Sequence, residues 1–311
     1  MTGTIRVGTR GSALAVAQAG EVAEALSAAS GMPFELVTVT THGDTSRASL
    51  ATIGGTGVFA AALREALLDG ECDVVVHSLK DLPTTPFPGL SIAATPRRAD
   101  ARDALCARDG LTLEALPEGA RVGTGSPRRV AQLRARRPDL DVRDIRGNVD
   151  TRLGFVADGE LDAVVLAAAG LTRVGRATSI TELFPLESWP TAPGQGVLAL
   201  EVRDEKVAPQ FASGLAAVHH SVTQLTASAE RTVLAEFEAG CSAPIGATAL
   251  VDDGMLFLSA TVYSADGGRS LTASHAGVLE GHAPERLQLA HDVAGRVVAE
   301  LIERGARDLE A

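Results

Sequence analysis

Apolar positions along the chain alternate between short continuous runs and helical stripes. Ile5 to Thr9 reads as a short strand, and Ser12 then caps an alanine-rich amphipathic helix that ends near Gly31, with Pro33 just beyond it. Phe34 to Thr40 predicts a second strand. After a polar, glycine-rich loop from Thr41 to Gly57, a helix is expected from Val58 to about Leu68. Asp73-Val74-Val75-Val76-His77 has the unbroken apolar character of a buried parallel strand. This is repeated strand–helix–strand grammar, the mark of an α/β domain.

The grammar returns in the second third of the chain. Arg121-Val122-Gly123-Thr124 mirrors Arg6-Val7-Gly8-Thr9, and a serine (Ser126, Ser12) follows each at a predicted helix start. Gly159-Glu160-Leu161-Asp162-Ala163-Val164-Val165 likewise mirrors Gly70-Glu71-Cys72-Asp73-Val74-Val75-Val76. Two echoes in the same order favour two similar α/β domains. The link between them is expected near Pro96 to Arg102 and a return crossing near Pro193 to Val202, so that two crossings make a hinge with a cleft. From about His219 the pattern changes to one helix (Thr223 to Glu238), a meander turning at Asp252-Asp253-Gly254, and a final helix from about Pro284 to Arg304. The expected architecture is therefore two hinged α/β domains, periplasmic-binding-protein-like, plus a small α+β domain: residues 1–97 with 197–216, residues 102–192, and residues 219–311.

Composition fits that division. The chain has 311 residues, 45% of them hydrophobic and 22% charged, which is ample for a core. A net charge of −11 disfavours a general nucleic-acid surface. Cys72, Cys106 and Cys241 lie too far apart to suggest a metal knuckle or a disulfide framework. The start of the chain has no basic segment followed by an apolar run, and no stretch reaches the length of a membrane span, so a cytoplasmic protein with reduced thiols is expected.

Charge changes the picture more when it is located. There are 26 arginines and only two lysines, Lys80 and Lys206, and residues 121–152 hold nine of the arginines against four aspartates. This enclave is +5 inside an acidic chain. Arg134, Arg136 and Arg137 fit the solvated face of a helix. Arg128 and Arg129 instead follow the glycine-rich turn Gly123-Thr124-Gly125-Ser126-Pro127, where helix N–H groups bind anions. Arg146 precedes Gly147-Asn148 at a similar turn, with Arg152 one helical turn on, and Arg10 before Ser12 makes a comparable turn in the first domain. A ligand with several negative charges in one cleft is implied, carboxylate and phosphate being equally suited to guanidinium. Nucleotide-binding fingerprints are absent from Gly8-Thr9-Arg10-Gly11 and Gly54-Gly55-Thr56-Gly57. Asp81 follows a predicted strand, where it either organises a turn before Leu82-Pro83 or meets a ligand. Cys241 stands in a loop of small residues, Gly240-Cys241-Ser242-Ala243-Pro244, and is a better candidate for a nucleophile or attachment point than Cys72 and Cys106, which border apolar strands.

Eight blocks in order resemble the porphobilinogen deaminase (hydroxymethylbilane synthase) family. They are Val7-Gly8-Thr9-Arg10-Gly11-Ser12, Gly43-Asp44, Gly54-Gly55-Thr56-Gly57-Val58-Phe59, Val76-His77-Ser78-Leu79-Lys80-Asp81-Leu82-Pro83, Gly123-Thr124-Gly125-Ser126-Pro127-Arg128-Arg129, Arg146-Gly147-Asn148-Val149-Asp150-Thr151-Arg152, Ala192-Pro193-Gly194-Gln195-Gly196, and Gly240-Cys241 with Pro244-Ile245-Gly246. The resemblance implies a transferase that joins four porphobilinogen units with loss of ammonia and releases hydroxymethylbilane for haem and related pigments. It implies a dipyrromethane cofactor attached by a thioether to Cys241, and a catalytic aspartate at Asp81 that stabilises positive charge on pyrrole nitrogens. It assigns Lys80, Ser126, Arg128, Arg129 and Arg146 to the cofactor, and Arg10, Ser12, Arg152 and Arg173 to substrate carboxylates. It implies no metal, and a monomer. Thr52, Thr56 and Ala61 depart from the family pattern, standing where lysine is common, with Arg47 as a possible substitute; Gly125 replaces a common serine. The alternatives are a non-catalytic two-domain anion-binding protein or sensor domain, which would not need Asp81 and Cys241 together, and a phosphate-transferring enzyme using Gly54 to Gly57.

Overall fold

A computed structural model describes residues 3–39, 58–238 and 243–309. From β1 (Ile5–Arg10) the chain passes through α1 (Ala13–Ser30), β2 (Phe34–Val39), α2 (Val58–Leu68), β3 (Val74–Ser78) and β4 (Leu90–Ala94). Next come β5 (Asp103–Ala107), β6 (Arg121–Gly123), α3 (Pro127–Arg136), β7 (Asp141–Arg143), α4 (Val149–Ala157), β8 (Ala163–Ala167), α5 (Ala168–Arg173) and β9 (Glu182–Leu183). β10 (Leu198–Arg203), α6 (Pro209–Val218) and α7 (Ser221–Glu236) follow, and the chain ends with β11 (Ile245–Asp252), β12 (Met255–Tyr263), β13 (Ser270–Val278) and α8 (Ala283–Glu303). Its contacts divide it into two compact units, Met1–Ala99 with Val197–Gln224 and Asp100–Gly196 with Leu225–Ala311.

The two α/β sheets share one plan. The first has strand order β2-β1-β3-β10-β4 and the second β7-β6-β8-β5-β9. In each, the first three strands run parallel and the fourth antiparallel to the third. The strand expected to be simply parallel, 73–77, is thus parallel to β1 on one side and antiparallel to β10 on the other. The sequence echoes have a physical counterpart. Arg6 N–H donates to Asp73 at 2.9 Å, and its guanidinium reaches the same carboxylate and the Gly70 carbonyl. Arg121 N–H donates to Asp162 at 2.8 Å, and its guanidinium reaches that carboxylate and the Gly159 carbonyl. Each pair ties the second strand in that order, β1 or β6, to the start of the third, β3 or β8. Gly8 and Gly123 are required by close packing there: a Cβ would lie 2.7 Å from Val75 in one case and 2.5 Å from Leu161 in the other.

In the second unit, the three-stranded meander β11-β12-β13 lays one face on α7 and α8, closing a core of Val233, Leu256, Val293, Val297 and Leu301. The meander is fastened to the α/β part by polar bonds. Ala247 N–H donates to the Thr191 carbonyl at 2.9 Å, and Tyr263 Oη meets Gln132 at 3.2 Å. Glu230 of α7 is fully buried and accepts from both Gly194 N–H (2.8 Å) and Ala249 N–H (2.9 Å). One carboxylate therefore serves two buried backbone donors from different layers. Replacing it with alanine leaves both unsatisfied, so Glu230→Ala is expected to cost about 2–4 kcal/mol. A urea midpoint indistinguishable from the parent's would show that the clamp is unimportant.

Candidate active site

The structure sorts the nine arginines of the basic enclave by what they touch. Arg121, Arg136, Arg137 and Arg143 pair with Asp162, Glu114, Asp139 and Asp141 at the surface. Arg134 donates to the Ala265 carbonyl. Arg137, expected as a solvated charge, also donates to the Leu113 and Leu116 carbonyls and so anchors the end of α3 to the loop before β6. That leaves Arg128, Arg129, Arg146 and Arg152.

Arg128 and Arg129, on the first turn of α3, are only 3% and 6% exposed. Both guanidinium groups converge on Asp103 of β5, which is completely buried: Arg128 Nη1 lies 2.9 Å from Oδ2 and Arg129 Nη2 2.6 Å from Oδ1. Gln195 Nε2 (2.8 Å) and Trp189 Nε1 (2.9 Å) complete a four-donor shell around this carboxylate. Burial alone would raise the pKa of Asp103, but the charges of Arg128 and Arg129 more than offset it and hold the group well below the usual carboxylate range. Arg128 is itself shifted down, because desolvation outweighs its share of Asp103.

One carboxylate cannot neutralise two guanidinium groups, and two further cations stand nearby. Arg146, in the turn between β7 and α4, and Arg152, on α4, are half-buried. Arg152 donates to the Gly147 carbonyl at 2.8 Å; burial, followed by repulsion from Arg129 and Arg146, pushes it down to about 10. Asp144 opposes this shift. The Nε atoms of Arg128, Arg129 and Arg146 are buried and have no acceptor. Buried donors without acceptors are uncommon and call for an explanation. Ser126 caps α3 by accepting from Arg129 N–H, so its hydroxyl sits at the same helix start. Gly125, read as a lost serine hydroxyl, has a positive reason: a Cβ there would come within 2.7 Å of the Ile145 carbonyl, so the turns that carry Ser126 and Arg146 pack closely at their backbones. Arg173 ends α5, half-buried and near the Gly196 carbonyl at 3.5 Å.

In the first unit, Arg10 ends β1 and Ser12 caps α1 by accepting from Ala15 N–H. Lys80 and the exposed Asp81 lie in the short turn Leu79–Asp81 directly after β3. That turn is held by Leu79 N–H on the Val197 carbonyl and follows Ser78, which bonds Gln18 of α1 at 2.9 Å. Because β1 and β3 are parallel neighbours, all four candidates emerge at one sheet edge, at strand C-terminal ends. Cys241, Arg47, Thr52 and Thr56 lie outside the described residues, as do Gly43-Asp44 and Gly54 to Gly57. Ala61 is exposed on α2, and Cys72 and Cys106 are buried, with thiols pushed up by burial to about 11 and about 12. Among the described residues no group of three or more His, Cys, Asp or Glu is placed to hold a metal ion.

Comparison with known proteins decides the family. Residues 5–209 match the model "Porphobilinogen deaminase, dipyromethane cofactor binding domain", and residues 224–296 match "Porphobilinogen deaminase, C-terminal domain". The chain belongs to the porphobilinogen deaminase family. It is 64% identical over 310 residues to a porphobilinogen deaminase of Leifsonia xyli subsp. xyli, covering 99% of this chain and 94% of that one. A porphobilinogen deaminase of Thermobifida fusca is 51% identical over 307 residues, covering 98% and 95%. Among solved structures, the methionine-binding protein MetQ matches at 14% identity with a TM-score of 0.46, covering 70% of this chain and 91% of that one. At that distance the likeness says nothing of function.

Set against the porphobilinogen deaminase pattern, the structure gathers Ser126, Arg128, Arg129, Arg146 and Arg152 around one buried charge cluster. Sequence reasoning missed Asp103 and Gln195 as its organisers. Gln195 had a signal in Ala192-Pro193-Gly194-Gln195-Gly196; Asp103 had none beyond following the interdomain link. Because the folded pKa of Asp103 is depressed, its stabilisation is fully present above the unfolded value of about 4 and is lost as pH falls below it. Asp103→Asn should therefore cost about 3–5 kcal/mol near neutrality and flatten the acid limb of the stability profile. Parallel acid limbs for the two proteins in denaturation from about pH 5 down to about pH 2 would contradict this role.

Proposed function

We propose that the chain joins four porphobilinogen molecules head to tail, losing ammonia at each addition, and releases the linear tetrapyrrole hydroxymethylbilane. The observation that supports this, beside family membership, is the buried cation excess: four arginines, with three Nε donors lacking acceptors, face too few carboxylates of the chain's own. A porphobilinogen molecule carries an acetate and a propionate, so a dipyrromethane and the chain grown on it present many carboxylates. The donor set fits such a polycarboxylate. When bound, the dipyrromethane supplies the pyrrole end to which the first substrate unit is joined.

The roles of individual residues follow from their chemistry. Cys241 supplies the thiol for the thioether. Lys80, Ser126, Arg128, Arg129 and Arg146 hold cofactor carboxylates, and Arg10, Ser12, Arg152 and Arg173 hold those of substrate. Guanidinium stays charged at any working pH, so these contacts persist through every addition. Asp81, exposed at its sheet edge, accepts from pyrrole N–H and stabilises positive charge as the bond from the aminomethyl carbon to nitrogen breaks. Arg128 and Arg129 keep Asp103 as a standing partner, so their share in anion binding rests on the remaining donors. A binding module without catalysis would use the arginines but have no need of Asp81 and Cys241 together. We take residues 1–97 with 197–216, 102–192 and 219–311 as its three domains, and a cytoplasmic monomer as its working form; no helix among the described residues is long and apolar enough to cross a membrane.

Asp81→Asn should fold, keep its covalent cofactor and lose turnover by at least about a hundredfold. A near-normal rate of porphobilinogen consumption would remove Asp81 from its role. Arg146→Leu should assemble less cofactor or stall during elongation, and normal assembly with normal turnover would refute the carboxylate assignment.

A further inference from the structure

The first unit contains a buried charged cluster that the reaction does not use directly. Glu201 of β10 is 2% exposed and receives a bidentate guanidinium from Arg64 of α2, at 2.7 to 3.1 Å. His77 Nε2 lies 3.1 Å from the second carboxylate oxygen, and Arg64 and His77 are each 7% exposed. Because an ionised carboxylate only accepts, this contact places the histidine proton on Nε2. Glu201 stands opposite Val75 in the antiparallel pairing of β10 with β3, so His77 is its diagonal neighbour on the same sheet face. The pairing of β10 with β4 is irregular at Leu200/Glu201, the kind of kink that re-aims a side chain.

The cluster brackets the turn that carries Lys80 and Asp81. His77 is four residues before Asp81 on the strand that delivers it. On the far side, the Arg64 guanidinium carbon sits 4.8 Å from the centre of the Phe87 ring, in the loop that leaves the turn. A buried ion pair is a poor device for stability alone, since apolar residues of similar volume do as well or better; it is a good one for fixing a single geometry. The same face beneath α2 is otherwise apolar, with Leu63, Leu67 and Val75.

We infer that Glu201 is a positioning residue for Asp81: by holding Arg64 and His77 together it sets the direction of the strand end and the loop on either side of the reacting carboxylate. This rests on the deaminase reading. A misplacement of about 1 Å at a reacting group costs on the order of a hundredfold, so the effect belongs in kcat.

The test compares three purified proteins: the parent, Glu201→Gln, and the double variant Arg64→Met with Glu201→Leu, which swaps the ion pair for apolar volume. An inactive parent would refute the deaminase reading itself and leave the variants unneeded. With an active parent, the expected result is a double variant that melts close to it and retains its covalent cofactor. Its kcat should fall at least about tenfold while KM stays within about threefold. Glu201→Gln should show the same split. A stable double variant with parental kcat overturns the inference, as does a kcat loss that only tracks lost cofactor or a raised KM. If neither variant folds, the cluster is structural and the inference is wrong.

Discussion

The second unit is organised around one carboxylate facing two guanidinium groups in a place that water does not reach. Asp103 is buried completely and takes four donors, yet it cancels only one of the two charges it holds. Breaking such a pair is costly, so the surroundings are committed to it. Trp189, which donates to Asp103, stacks on Phe184 at 4.3 Å. Gln195 donates to it, and the neighbouring Gly194 is clamped by Glu230, which also holds the third sheet. The positive charge left over is fixed and desolvated, and on the proposed function an external carboxylate completes it.

Both α/β sheets use the same frame for different charge. Each is tied by an Arg–Asp pair between its second and third strands, Arg6 with Asp73 and Arg121 with Asp162. Each also buries one carboxylate on its antiparallel fourth strand, Glu201 on β10 and Asp103 on β5. In the first unit that carboxylate is matched by one arginine and a histidine, and the anion exposed at the sheet edge is Asp81. In the second it is outnumbered by arginine. One unit thus exposes a carboxylate at its sheet edge, and the other holds an excess of buried cations.

Much of this was legible beforehand. The predicted helix from Val58 to Leu68 and the serine caps at Ser12 and Ser126 stand where local chemistry put them, because spacing and capping act over a few residues. The two echoes were legible because the same ion pair demands the same residues twice. The antiparallel strands were not: β10 and β5 are short, mostly apolar strands, each carrying one carboxylate, whose direction depends on where the chain crosses between units, which periodicity does not encode. Nor could spacing divide the arginines. Arg128 and Arg137 look alike in sequence, and only their distance from Asp103 and Asp139 separates a buried cation from a surface anchor.

The central claim is that the stored positive charge exists to hold a polycarboxylate attached to this chain. Intact-protein mass of the freshly purified, active protein tests it most directly, with Cys241→Ser alongside. The expected result is the sequence mass plus one dipyrromethane unit for the parent, and no increment for the variant. An active parent at its unmodified mass would contradict the claim.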